Sequence, residues 1–203
     1  MKDKFKQAIK TYDKIAKIYT EYTKNQIIQF QLTKFESFLS GKKILDVGCG
    51  PGRDSGYFTD DGFDVTGVDA SEEFIKIAKK EVKGVKFKVM DFRKLDFKAN
   101  SFDGIWAMAS LVHIDRKDIL KVLKGFYKVL SSKGILYISV REGEGDEEIR
   151  QERYSNEPRH FFYFKENEFK EYLEKAGFTI LESEVHELEG GKRWLEIFSK
   201  KNQ

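Results

Sequence analysis

The hydrophobic positions of the chain follow two different periods. Over residues 3–39 apolar side chains recur at near-helical spacing, which predicts two helices with a break near Thr23–Asn25 and an end at Gly41. After that point short apolar runs alternate with helical stretches. The runs that predict strands are 43–47, 63–68, 85–90, 102–108 and 134–140. The stretches that predict helices are 53–60, 71–81, 115–130 and 165–176, whereas 92–101 shows no clear helix.

The alternation of strand and helix predicts an α/β protein with a parallel sheet covered by helices. At the C-terminal end the runs 178–185 and 192–199 flank the turn Glu189-Gly190-Gly191, which predicts an antiparallel hairpin at one edge of the sheet. These runs bring the number of predicted strands to seven. Because no repeat or flexible linker divides the sequence, we expect a single domain. Its parts are the N-terminal helices 1–41, a central core 42–140 and a C-terminal part 141–203.

Composition narrows the class of protein. Hydrophobic residues make up 40% and charged residues 35% of the 203 positions, which is typical of a globular domain. We expect a cytoplasmic protein without a membrane segment, because no apolar run is long enough for one and the start has no apolar signal core. The single cysteine fits a reducing compartment and excludes a Cys-based zinc site, so we expect no metal. A net charge of +3 makes nucleic acid an improbable partner without excluding it.

The clearest chemical signal is the stretch ILDVGCGPGRD, residues 44–54, in which a strand runs into a helix through three glycines. These are Gly48, Gly50 and Gly52. Glycine tolerates a positive φ and lets a ligand approach the backbone, and the N-terminus of the following helix offers free N–H groups. The spacing therefore predicts a ligand-binding loop.

This pattern can be compared with three kinds of nucleotide-binding loop: a P-loop, a dinucleotide-binding loop and a loop for a ligand without phosphate beside the glycines. A P-loop needs Gly-Lys-Ser/Thr, which Gly52-Arg53-Asp54 does not supply. A dinucleotide site needs glycine where Arg53 stands, and Asp54 would place a negative charge beside the phosphates. Acidic residues at both ends of the loop, Asp46 and Asp54, suit a ligand that is cationic or zwitterionic near the glycines.

Two further acids end predicted strands. Asp69 closes the second strand, where a carboxylate can accept hydrogen bonds from both hydroxyls of a ribose. Asp91 closes the third strand in VMDF. There its carboxylate can accept a hydrogen bond from the exocyclic amine of an adenine, while Met90 or Phe92 packs against the adenine ring. Ribose, adenine and a charged remainder without phosphate together describe S-adenosylmethionine.

The motifs ILDVGCGPGRD, VTGVDAS, VMDF, FDGIWAMASLVHI and LSSKGILYISV follow one another over about residues 43–140. In this order they resemble the class I S-adenosylmethionine-dependent methyltransferases. The resemblance implies a Rossmann-like sheet of order 3-2-1-4-5-7-6, with strand 7 antiparallel and an N-terminal helical lid. GRDSGYF and RWLEIFSKK resemble a branch of small bacterial and archaeal methyltransferases whose substrate is not implied.

The resemblance also implies where the cofactor is held. The glycines would surround the methionine part, Asp69 the ribose, and Asp91 with Phe92 the adenine, while Ala107 would lie beside the sulfonium. A tyrosine of the N-terminal helix, or Arg53, would meet the carboxylate of the cofactor, although ordinary helix packing explains the tyrosines equally well. The candidate cofactor-binding residues are Asp46, Gly48, Gly50, Gly52, Arg53, Asp69, Ala70, Asp91, Phe92, Ala107, Tyr12 and Tyr22.

His113 is the candidate catalytic base, because similar methyltransferases often place an active-site histidine just past the fourth strand. The alternative is a half-buried histidine that caps the helix beginning near Asp115. Enzymes that methylate the amines of DNA bases or glutamine amides carry an Asn-Pro-Pro-Tyr-like element after the fourth strand. This chain has Ala107-Met108-Ala109-Ser110 there, which argues against those reactions. Cys49 lies in the cofactor loop, so a cysteine nucleophile for a pyrimidine ring carbon is also missing.

Residues 141–164 form a charged insertion after the fifth strand, predicted to be a loop over the acceptor. The substrate-binding candidates are Arg141 and Arg153, followed by Arg193 at the hairpin, with Arg150, Arg159 and His160 as further cations. They would bind an anionic acceptor, unless the insertion is only a solvated loop with internal ion pairs. We expect a monomer or homodimer that methylates a small molecule. The alternatives are methylation of tRNA or protein, and a non-catalytic module that binds S-adenosylmethionine.

Overall fold

The computed structural model describes residues 3–26, 28–188 and 190–202. Ile27 of the predicted second helix and Glu189 of the predicted turn lie outside these ranges. The helices are α1 (Lys4–Thr23), α2 (Gln29–Phe38), α3 (Arg53–Asp60), α4 (Glu72–Glu81), α5 (Arg116–Val129) and α6 (Glu166–Ala176). The strands are β1 (Lys43–Val47), β2 (Asp64–Asp69), β3 (Lys86–Val89), β4 (Phe102–Met108), β5 (Leu130–Glu142), β6 (Asp146–Ile149), β7 (Arg159–Phe164), β8 (Phe178–Leu188) and β9 (Lys192–Lys201). Within the described ranges, no helix has the length and apolar character needed to cross a bilayer.

The main sheet has the order β3-β2-β1-β4-β5-β9-β8. The first five strands run parallel, with Leu45 of β1 paired to Thr66 of β2 and to Ile105 of β4. Strand β9 runs antiparallel to β5, and β8 completes the edge hairpin. Because β8 and β9 are the predicted sixth and seventh strands, the predicted Rossmann-like order and the antiparallel last strand are confirmed.

The insertion after β5 differs from the prediction, because it contains two strands instead of a loop. β5 extends beyond its last pairing with β4, and Arg141 in this extension pairs with Tyr163 of β7 and with Trp194 of β9. Strand β6 pairs antiparallel with β7. The aromatic run from Phe161 to Phe164 favours a strand, but the charges around it hide the pattern in the sequence. The predicted count of seven strands is therefore too low by two.

Hydrophobic side chains cover both faces of the central strands, as a parallel sheet requires. One face carries Phe126 of α5 and Phe169 of α6, and both side chains are fully buried. On the other face Trp106 of β4 stacks on Tyr137 of β5 with ring centroids 4.0 Å apart. Since both faces are closed by packing, the ends of the strands are the place where polar side chains can meet a ligand.

Candidate active site

A cavity of about 320 Å³ lies at the carboxyl ends of β1, β2, β4 and β5. Its floor includes the glycine loop and the segment that follows β4. Helix α1 lines it with Tyr12 and Tyr19, and residues of the insertion close the opposite side. Polar contacts join these covering parts: Thr11 Oγ1 donates to the carbonyl of Pro158 at 2.8 Å, and Lys14 and Lys4 form ion pairs of 2.9 and 2.6 Å with Glu157 and Asp146.

The three glycines of the loop have different structural roles, although each has a positive φ. A Cβ on Gly48 would lie 2.5 Å from the Cβ of Ser110, so this glycine permits close packing of the loop on the segment after β4. Gly50 donates its N–H to Asp69 Oδ2 at 2.9 Å, and a Cβ there would have no neighbour within 4 Å among the described residues. Gly52 is the N-cap residue of α3, and a Cβ on it would lie 2.8 Å from the ring of Phe87.

Gly48→Ala is expected to destabilise the protein more than Gly50→Ala. Both substitutions force a left-handed backbone on alanine, which costs about 1–2 kcal/mol. Only Gly48→Ala also drives a methyl group against the Cβ of Ser110, an atom that is bonded directly to the backbone. Urea denaturation of the two variants and the wild type measures the difference in free energy of unfolding. Equal losses would show that the contact with Ser110 relaxes without penalty.

Asp69 is fixed by the backbone on both sides. Its Oδ2 accepts from Gly50 N at 2.9 Å, and its Oδ1 accepts from Ser71 N at 2.8 Å. Ser71 also caps α4 by accepting from the N–H of Phe74. Burial raises the pKa of Asp69 to about 6, although the backbone N–H groups act in the opposite direction. Each carboxylate oxygen keeps a lone pair for a ligand hydroxyl.

A second acidic pair lies beneath the loop. Buried Asp46 accepts from Ser55 Oγ at 2.6 Å, and burial followed by the neighbouring Asp54 raises its pKa. Asp54 accepts two hydrogen bonds from Arg53, at 2.7 and 3.1 Å, and a third at 3.0 Å from Trp106 Nε1. This half of the cavity therefore carries three carboxyl groups, with Asp69 as the third, and one arginine. A cationic ligand would suit it, because a positive charge there would offset the repulsion from Asp54 that raises the pKa of Asp46.

Tyr12 and His113, predicted separately, are joined in the structure. His113 Nδ1 lies 2.6 Å from the carbonyl oxygen of His160, which can only accept, so Nδ1 carries the proton. The lone pair on Nε2 then accepts from the hydroxyl of Tyr12 at 3.0 Å. Burial, followed by repulsion from Arg159, lowers the pKa of His113 to about 4 although the carbonyl contact opposes the shift. His113 is therefore neutral at pH 7.

Residues from the end of β5 onward give the cavity a basic half. Arg141, Arg153 and Arg159 line it together with Lys192. Aromatic rings lie against the guanidinium groups: Arg159 Cζ is 4.3 Å from the ring centroid of Tyr154. Arg159 was only one of several cations in the sequence prediction, yet it is the most deeply buried of them. It is the first residue of β7, a strand that was not predicted, so no sequence pattern distinguished it from the other cations.

The structure brings most of the predicted site residues to one cavity. Those that line it are Tyr12, Asp46, Gly48, Gly50, Arg53, Asp69, Ala70, Phe92, His113, Arg141 and Arg153. The predicted residues outside its lining are Tyr22, Gly52, Asp91, Ala107 and Arg193. Asp91 is engaged by Arg93 at 2.7 Å, Arg193 forms a 3.1 Å ion pair with Glu142, and Tyr22 is half exposed. Ala107 is buried in the core of the sheet.

Comparison with known proteins identifies the chain. The family model described as "Methyltransferase domain" matches residues 19–183. The chain belongs to this methyltransferase family. Among solved structures, an S-adenosylmethionine-dependent methyltransferase from Methanosarcina mazei superposes with a TM-score of 0.75 at 25% identity, over 83% of this chain and 97% of that one.

The curated relatives of this chain carry names that specify different acceptor molecules. Phosphoethanolamine N-methyltransferase 3 of Arabidopsis thaliana is 36% identical over 104 residues, which are 49% of this chain and 21% of that protein. The 23S rRNA (uracil(747)-C(5))-methyltransferase of Pyrococcus abyssi is 32% identical over 122 residues, 58% of this chain and 28% of that protein. The chain therefore spans between a fifth and a third of the length of these two relatives.

The predicted family and its cofactor, S-adenosylmethionine, are confirmed by these comparisons. The residues of the cavity also fit this cofactor. Asp69 offers lone pairs to ribose hydroxyls, and the carboxylates of Asp46 and Asp54 suit a positively charged ligand. Ser110 Oγ is buried in the lining without a hydrogen-bond partner among the described residues, as expected if a ligand supplies one.

Proposed function

We propose that this protein transfers a methyl group from S-adenosylmethionine to a small molecule bound in the same cavity. The observation that carries the proposal is the division of one covered cavity into an acidic half, next to the glycine loop, and a basic half, next to the insertion. A cationic cofactor suits the first half. The second half leaves room for an acceptor beside it.

The acidic half provides the contacts for the cofactor. Asp69 binds the ribose, the N–H groups and open face of the glycine loop meet the methionine part, and Phe92 packs against the adenine. Asp46 and Asp54 favour a positive charge nearby. When bound, S-adenosylmethionine supplies a methyl group activated by the positive charge on the adjacent sulfur. The protein's contribution is to hold donor and acceptor in line and to exclude water.

Tyr12 and His113 provide a path for a proton that the acceptor loses. Because the Tyr12 hydroxyl donates to His113 Nε2, its oxygen keeps lone pairs for a hydrogen of the acceptor. As that hydrogen moves onto Tyr12 Oη, the phenol's own proton moves onto Nε2. The low pKa of His113 makes it a weak base in the free protein. An anion beside Arg159 would make it stronger, because it would offset the repulsion from the guanidinium.

The cover of the cavity favours a small acceptor. Helix α1 and the insertion enclose it from two sides, and Thr11 and Lys14 hold them together. Methylation of RNA is the alternative, because an rRNA methyltransferase is among the relatives, although Cys49 in the glycine loop leaves no cysteine to attack a pyrimidine ring carbon as in that reaction. An RNA substrate would bind with a strong dependence on salt concentration, whereas an acceptor of metabolite size would not.

Calorimetric titration with S-adenosylmethionine, S-adenosylhomocysteine and NAD tests the proposal. We expect micromolar binding of the two adenosyl ligands and none of NAD, because NAD would bring its phosphates against Asp46 and Asp54. Formation of S-adenosylhomocysteine is then measured with two acceptor pools, the small-molecule fraction of a cell extract and purified tRNA. Turnover with the first pool alone supports the proposal. Turnover only with tRNA, or failure of both adenosyl ligands to bind, contradicts it.

A further inference from the structure

We propose that the methyl acceptor carries an oxyanion, a carboxylate or a phosphate, and that Arg159 and Arg141 bind it. This inference rests on the proposed function, because it names the chemical class of the molecule in the basic half of the cavity. It also assigns a binding role to Arg159, which the sequence did not single out.

The first argument is the distribution of charge in the lining. The carboxylates of the cavity come from the loop and strand ends between Asp46 and Asp69. Of the described residues, those that line it from Arg141 onward include three arginines and one lysine but no Asp or Glu. A cationic cofactor satisfies the acidic half, so the basic half needs a separate source of negative charge.

The second argument is the burial of Arg159 without a counter-ion. Only 6% of this residue is exposed, and its Nη2 donates to the amide oxygen of Gln151, a neutral partner. Its Nε has no hydrogen-bond partner within the described part of the chain, where no carboxylate lies within ion-pair distance of this arginine. Burying an unpaired charge is unfavourable, and a bound anion would offset that cost.

Arg141 repeats this arrangement on the neighbouring strand. Its Nε is buried and unpartnered in the described residues, and its Cζ lies 4.5 Å from the ring centroid of Trp194. Glu147 attracts it at longer range, but that carboxylate accepts from the hydroxyl of Tyr163. The two arginines lie at 5.7 and 5.4 Å from the ring of Phe161. The structure thus places one buried and one half-buried guanidinium group around one aromatic ring.

The geometry of these contacts favours an oxyanion over other negatively charged groups. Aromatic rings lie close to both guanidinium groups, while the N–H donors of arginine lie in the guanidinium plane and suit the paired oxygens of a carboxylate or phosphate. Arg159 is also close enough to Tyr12 to act on the pKa of its phenol. An anion held there would bring the acceptor next to the Tyr12–His113 pair. We therefore infer a compact acceptor whose anionic group lies near the atom that receives the methyl group.

Titration with simple anions tests the inference without knowledge of the acceptor. Benzoate, phenyl phosphate and the neutral benzamide are added to the protein, free and saturated with S-adenosylhomocysteine, while amide NMR shifts are followed. We expect benzoate or phenyl phosphate to bind and benzamide to bind at least tenfold more weakly. Arg159→Met and Arg141→Met should each lower anion affinity about tenfold, which is typical for the loss of a charged hydrogen bond. The relative affinities of the two anions distinguish a carboxylate from a phosphate acceptor.

Arg150→Met is the matched control, because Arg150 belongs to the same insertion but is exposed and pairs with Glu148. Its anion affinity should equal that of the wild type. The inference is overturned if neither anion binds, if benzamide binds as well as the tighter of the two anions, or if Arg159→Met and Arg141→Met weaken binding no more than Arg150→Met does. Circular dichroism verifies the folding of each variant. If either Arg159→Met or Arg141→Met fails to fold, the other variant alone tests the inference. Failure of S-adenosylhomocysteine to bind would contradict the proposed function, whereas the titration of the free protein would still decide this inference.

Discussion

Replacement of Asp69 by alanine is expected to weaken the binding of S-adenosylmethionine at least tenfold. A carboxylate that accepts two hydroxyl hydrogen bonds contributes about 1.5–3 kcal/mol, and its removal also leaves the N–H groups of Gly50 and Ser71 without their acceptor. Asp69→Asn keeps one oxygen for these N–H groups and isolates the loss of charge. Calorimetric titration measures the affinity, and thermal unfolding shows whether each variant is folded.

Asp64→Ala is the control for this experiment, since Asp64 is at the opposite end of the same strand. Its carboxylate pairs with Lys86 at the surface, and the cavity lies at the other end of β2. We expect its cofactor affinity to match that of the wild type. If Asp69→Ala bound the cofactor as well as Asp64→Ala did, Asp69 would have no place in the binding site.

Tyr12→Phe and His113→Ala are both expected to lower methyl transfer about a hundredfold while leaving cofactor affinity nearly intact. Proton transfer by a positioned side chain contributes about 10²–10⁴ to the rate, and each substitution breaks the only described hydrogen bond between these two side chains. The readout is formation of S-adenosylhomocysteine with the active acceptor pool, beside calorimetry with the cofactor. Since both residues belong to one path, the double variant should be no slower than the slower single variant.

Tyr19→Phe provides the comparison for Tyr12→Phe. Tyr19 lies on the same helix, lines the same cavity and packs edge-on against Tyr12 at 5.4 Å, but His113 takes its hydrogen bond from Tyr12. Its turnover should remain near that of the wild type. Normal turnover of both Tyr12→Phe and His113→Ala would leave the pair a packing role only.

The sequence predicted the parts of the fold that depend on local pattern. Alternation of apolar runs and helical stretches located β1–β5, and Gly190-Gly191 marked the edge hairpin. The residues of the acidic half of the cavity were predicted in the same way, because Gly48, Gly50 and Asp69 belong to short motifs next to strand ends. The sequence order alone placed these residues at one edge of the sheet.

Contacts between distant segments were outside the reach of such patterns. Tyr12 and His113 are 101 positions apart, so no local motif joins them. The burial of Arg159 depends on β7, which the charged insertion concealed. The side chain of Asp91 turns to Arg93, a choice between neighbouring partners that the strand pattern does not decide. Sequence reasoning therefore located the ends of the strands better than the directions of the side chains on them.

The two tryptophans of the chain contact different halves of the cavity, Trp194 from within its lining and Trp106 from the core beneath it. Trp106 is fully buried and donates to Asp54, which holds Arg53 beneath the glycine loop. Trp194 lies under the guanidinium of Arg141 in the basic half. Each half thus has an intrinsic fluorophore in its lining or in direct contact with a lining residue. With Trp106→Phe or Trp194→Phe, the remaining indole gives a separate optical signal, so that the order in which the two ligands enter can be followed in a stopped-flow instrument.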